Sequence, residues 1–108
     1  MNRARKNDNG SGKTGANRVV MRLFIAGNAP NSVQAIANLK VICSEYFGHT
    51  HNLEIIDTLE DPLRALADGV LITPTLIKVS PKPRMKVVGN LSAKSAVLLA
   101  LGIKEKAG

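Results

Sequence analysis

Gly10-Ser11-Gly12-Lys13-Thr14 is the segment of this 108-residue chain whose residue types most suggest phosphate chemistry, because Gly-Lys-Thr ends the loop with which P-loop nucleotidases cradle phosphates. The full pattern asks for a glycine at position 7, where the chain has Asn7. It also asks for a strand before the loop and a helix start after it to supply oriented amides, and neither is legible. His49 and His51 are metal-ligand types two residues apart, but a stable site needs three or four donors. Glu54 and Asp57 follow on a strand-like run, where alternation sends them to opposite faces. Cys43 is the single cysteine, so one chain can form neither a disulfide, nor a CxxC redox pair, nor a cysteine cage for zinc. Its position on the apolar side of a helical pattern is that of inert packing. No acid–base pair stands out, and no catalytic residue, metal or cofactor is expected.

The elements around these residues are clearer than the residues themselves. Val19 to Ala26 is apolar on both faces, which suits a central strand covered from two sides. Gly27-Asn28-Ala29-Pro30 breaks it, and Asn31 or Ser32 can cap a helix with Val33, Ile36, Leu39, Cys43 and Phe47 on one face and Gly48 as its stop. Leu53 to Asp57 reads as a second strand, completing a right-handed βαβ unit. Asp61-Pro62 begins a short helix to Asp68 that Gly69 closes. Leu76–Val79 and Met85–Val88 are β-type runs joined through Pro81 and Pro83 at hairpin spacing. Ser92 can cap a last helix reaching Leu101, with Gly102 after it. The order is α/β, βαβαββα. Pro74, between Thr73 and Thr75 at the start of the third strand, is the candidate for a cis proline.

The formal charge of +7 suggests a nucleic-acid binder until its distribution is considered. Arg3, Arg5, Lys6, Lys13 and Arg18 against Asp8 give residues 1–18 a net +4, and the remaining 90 residues carry +3. Rich in Asn, Gly and Ser, residues 1–18 are read as a disordered basic leader, residues 19–103 as one domain and 104–108 as a polar end. Phe24, Tyr46 and Phe47 are the only aromatic residues and fall in core-like patterns, so no stacking platform for nucleic acid is expected. No run approaches a membrane span and no signal-peptide core opens the chain, so the expectation is a soluble, cytoplasmic protein without membrane contact.

Three stretches then carry a family resemblance. Arg22 to Ser32 resembles the first strand and loop of KaiB proteins, with their AGN-x-P-N-S signature; Ile72-Thr73-Pro74-Thr75-Leu76 resembles their TPTL segment; Val87-Val88-Gly89-Asn90-Leu91-Ser92 resembles their IGDLS. The matches run in order over residues 19–101. The resemblance implies a thioredoxin-like fold that binds rather than catalyses, since Gly27 to Asn31 stands where thioredoxins carry their redox pair. It also implies a family alternative, a ground state with a rearranged second half in the order βαββααβ, adopted by oligomers (dimer or tetramer). The implied partner is a KaiC-type ATPase in a circadian or stress-response system, with a KaiA-like protein or a histidine kinase as further partners. The rival reading is a free-standing sensor domain like that of SasA-type kinases. The partner-binding positions expected on this basis are Asn52, Glu54, Gly69, Gly89 and Asn90. Glu54 and Gly69 replace basic contact positions of the family, and Asn90 replaces its common acidic residue.

Overall fold

The computed structural model describes residues 18–103, which form β1 (Val19–Ile25), α1 (Pro30–Tyr46), β2 (His51–Asp57), α2 (Pro62–Ala67), β3 (Thr75–Ser80), β4 (Met85–Val88) and α3 (Lys94–Ala100). The Gly-Ser-Gly-Lys-Thr segment, the rest of the expected leader before Arg18 and the end at 104–108 lie outside the described residues. The order is the thioredoxin-like βαβαββα, not the rearranged alternative. The strands form one sheet in the order β2-β1-β3-β4, with β1 parallel to β2 and antiparallel to β3. β1 is central, as its two-faced apolar run requires.

Alternation along β1 divides the core in two. Val19, Met21, Leu23 and Ile25 point to the side where α1 and α3 pack, and join Leu39, Ile42, Cys43, Leu76, Val97 and Leu98 in one buried cluster. Phe24 points to the opposite side and joins Ile56, Ile77, Val70 and Ala65 of α2 in a smaller one. Lys78 is buried on the α1–α3 side, its ammonium reaching the C-terminal end of α3 beside Gly102, where the helix dipole favours a cation.

Several local expectations are corrected. α1 starts at Pro30 behind Ala29, with no side-chain cap, and its buried face is Ser32, Ala35, Leu39, Ile42 and Cys43, leaving Val33 exposed. The cause is Ser32, whose hydroxyl turns inward to accept the Ala26 N–H at 3.0 Å and so sets the rotation of the helix. β2 begins at His51, and the isoleucine it buries is Ile56, with Ile55 exposed. Pairing of Phe24 with Ile56 in the parallel ladder puts Ile56 beneath α2. α2 ends one residue short of Asp68, which is its C-cap. α3 begins at Lys94; Ser92 does not cap it, and its N–H donates to Asn90 Oδ1 at 3.0 Å.

α3 is fastened to α1 along a polar seam. Asn38 Nδ2 donates to the Asn90 carbonyl at 2.9 Å, and Asn90 Nδ2 donates to Gln34 Oε1 at 2.9 Å. Lys94 Nζ meets Glu45 Oε1 at 3.1 Å and lies 5.5 Å from the centre of the Tyr46 ring.

Candidate docking surface

The loop after β1 is where a thioredoxin would hold its thiols, and here it is organised by a carboxylate. Asp57 Oδ1 accepts the N–H groups of Gly27 at 3.1 Å and Leu59 at 3.0 Å, while Gly27 takes a φ of +52° that suits glycine. Cys43 lies away from this loop in α1, and burial pushes its thiol up to about 11, which keeps it protonated and unreactive at neutral pH. Among the described residues no group of three His, Cys, Asp or Glu side chains is arranged to hold a metal, and no helix is long and apolar enough to cross a membrane.

What the fold does present is an unfinished face. On the side of the sheet opposite α1 and α3, the six-residue α2 is the only helix among the described residues, and it covers the sheet in part. It buries Ala65 and leaves Leu63 75 % and Leu66 68 % exposed. The connection from α2 to β3 adds Leu71, 90 % exposed, and Ile72, and β4 adds Val88. Val70, Leu71, Ile72, Thr75, Lys86 and Val88 line a shallow cavity of about 190 Å³ there, with Gly69 at its edge. Neighbouring exposed apolar side chains of this kind mark an interaction surface.

Charges border the apolar patch. Register sets Arg22 of β1 beside Glu54 of β2 and Ile77 of β3. Arg22 donates to Asp68 Oδ2 at 2.8 Å, and Arg84 approaches the other Asp68 oxygen at 3.7 Å. Arg64 grips Glu54 with both nitrogens, one of the bonds at 2.8 Å; the hydrogen bond from Arg64 holds the Glu54 carboxyl below its ordinary pKa. Lys86 Nζ donates to the Gly69 carbonyl at 3.2 Å. Arg22, Arg64, Arg84 and Lys86 against Glu54, Asp68 and Asp61, which acts on Arg64 from the start of α2, leave the border with one net positive charge.

The five partner-contact positions expected from sequence are divided by this geometry. Glu54 and Gly69 stand on the α2 side, as described. Asn52 is on the same side of β2, its Oδ1 accepting from Arg18 at 3.3 Å. Arg18, read from sequence as leader, also donates to the carbonyls of His49 at 3.1 Å and His51 at 3.2 Å. Gly89 closes β4 with a φ of +119°, and its N–H donates to the Pro74 carbonyl at 2.9 Å. Asn90 is turned to the α1 seam instead. The Thr73–Pro74 peptide bond is cis, as are Ser80–Pro81 and Lys82–Pro83. Sequence reasoning missed Leu63, Leu66, Leu71 and Ile72; the signal was available as apolar residues flanking a helix too short to bury them all.

The fold is thioredoxin-like, and the loop that holds the redox thiols in thioredoxins carries none here. Comparison with known proteins narrows the class. The KaiB domain model matches residues 22–103. The circadian clock protein KaiB3 of Synechocystis sp. is 49% identical over 87 residues, covering 81% of this chain and 85% of that protein. The circadian clock oscillator protein KaiB of Microcystis aeruginosa is 45% identical over 84 residues, covering 78% and 81%. Among solved structures, the N-terminal domain of Synechococcus elongatus SasA superposes with a TM-score of 0.67 at 21% identity over 86% of this chain and 91% of that one. Mitochondrial thioredoxin 3 of Saccharomyces cerevisiae gives a TM-score of 0.66 at 16% identity over 83% and 82%; both structures speak to the fold alone. The chain belongs to the KaiB family, and it is not an enzyme.

Proposed function

We propose that the chain is an adaptor that docks on a KaiC-type ATPase in a circadian or stress-response timing system, in the cytoplasm, through the half-covered face around α2. The observation that carries this reading is the exposure of Leu63 and Leu66 on α2 and of Leu71 and Ile72 just after it, beside a basic border, on a fold whose redox loop has no thiol. Its partner surface is an apolar ridge with acidic flanks, since charge complementarity sets which partner fits. Asn52, Glu54, Gly69 and Gly89 lie on or beside that face, and Asn90 acts from the seam behind it. A KaiA-like protein is a further partner of the docked state, and the rearranged fold is a second population, associating as a dimer or tetramer. Only the competent fold binds, so apparent affinity scales with its fraction, and binding is slow where that fold is the minor state.

Calorimetry and gel filtration with the cognate ATPase, after long incubation with nucleotide, test the proposal. A complex that Leu71→Arg abolishes is the expected result. If no complex forms while the free chain keeps the thioredoxin-like fold, the docking reading fails. The alternative is then a free-standing sensor domain regulating a histidine kinase, a reading compatible with the fold shared with the SasA domain. For the second population, Gly89→Ala is informative: φ of +119° strains any L side chain, so the substitution penalises the present fold and shifts backbone NMR signals toward the rearranged one.

A further inference from the structure

A second cavity, of about 440 Å³, opens on the α1 side of the sheet, where the latter half of α1 meets the turn into β2. Lys40, Cys43 and Ser44 reach it from one helix face by their spacing of three and four, and His51 and Leu53 reach it from one side of β2 by alternation, with His49 between. Its lining has two parts. Cys43 and Leu53 supply apolar surface, the former as a protonated thiol, while Lys40, Ser44 and the two imidazoles supply polar and cationic groups. No carboxylate lines it. Arg18 does not line the cavity; it donates to the carbonyls of His49 and His51 and to Asn52 Oδ1 on the other side of β2. His51 Nδ1 is buried without a hydrogen-bond partner, its ring 6.0 Å from that of Phe47.

The sign of the ligand follows from the surroundings. A metal cation meets two imidazoles and a protonated thiol that are not arranged as a ligand set, and Lys40 repels it. An anion is attracted by Lys40, and donors arriving from a helix, a turn and a strand suit oxygens that point in several directions, as on a phosphoryl group, better than the planar pair of a carboxylate. The volume exceeds that of a bare ion and falls in the range of small-molecule sites. From this we infer that the cavity binds a small phosphorylated molecule, its phosphoryl group among Lys40, Ser44 and the imidazoles and its apolar body over Cys43 and Leu53. The site lies across the sheet from the proposed docking face and does not depend on that reading.

Amide NMR titrations of the full chain test it, at fixed pH and matched ionic strength, with inorganic phosphate, with phenyl phosphate and with chloride as the control. Saturable shifts are expected at residues 40–53 with both phosphates, phenyl phosphate binding about tenfold more tightly because its ring buries apolar area. Lys40→Ala, at an exposed position that the fold does not need, is expected to weaken both by about tenfold while leaving thermal unfolding unchanged. Shifts that chloride reproduces overturn the inference. So do shifts centred on the basic β3–β4 hairpin at Lys82, Arg84 and Lys86, equal affinity for the two phosphates, or a Lys40→Ala variant that binds as tightly as the parent.

Discussion

The two faces of the sheet are built from the same strands to different ends. On one, α1 and α3 bury Leu39, Met21, Leu23 and Val97 completely. On the other, a six-residue helix buries Phe24 and Ile77, and leaves its own leucines in solvent beside ion pairs. Stability resides on the first face, and the second keeps apolar area in reserve. Free energy left unspent on folding is available to a partner, because burial on docking removes the same kind of surface from water.

Substitutions can break that contrast. Leu39→Ala, in the two-helix face, is expected to cost about 2–5 kcal/mol in denaturant unfolding, as cavities in packed cores do. A pH series probes the same face through Cys43. Its folded thiol titrates near 11 instead of 9.0, so stability is full below pH 9, is lost as pH rises through that interval and is constant above it, the loss being on the order of 2 kcal/mol. Cys43→Ala lacks that decline, and the difference between the two pH curves isolates it.

On the α2 face the expected costs are smaller. Asp68→Asn weakens the pairs with Arg22 and Arg84 and is expected to lower unfolding free energy by about 1 kcal/mol. Leu71→Arg should stay within about 0.5 kcal/mol of the parent, yet remove the docking proposed above. A Leu71 variant as destabilised as Leu39→Ala would erase the distinction between the faces. Smallest of all is acid titration of Glu54. Its folded pKa is depressed by Arg64, so the contribution is present above the unfolded value and is lost as pH falls through the folded one. The pair is open to solvent, so Glu54→Gln should flatten the acid limb of the stability curve only slightly.

The central strand, the βαβ unit and the hairpin were readable because each rests on local pattern: β1 is apolar on both sides and lies between two strands, and Gly27 and Gly48 end elements at positive φ. What was not readable depended on partners distant in the chain. Val33 looks like core and Ser32 like surface until the Ala26 amide claims the serine hydroxyl. Leu53, Ile55 and Ile56 offer two alternations, and only pairing with Phe24 selects Ile56. Arg18 looks like part of a polar tail until the carbonyls of His49 and His51 are brought within its reach. The KaiB signatures marked the family from the sequence, but the apolar surface around Leu71 becomes visible only when α2 proves too short to cover it.

The seam between α1 and α3 has an optical consequence. The chain has one tyrosine and no tryptophan, and Tyr46 sits under the Lys94 ammonium that ties α3 to α1. Emission excited above the phenylalanine absorption band therefore comes from a single fluorophore placed at the joint between the helix that follows β1 and the last helix among the described residues. Withdrawal of α3 removes the cation from the ring and changes the solvent around it, so the dim tyrosine signal of the unlabelled protein follows the packing of its last helix in real time.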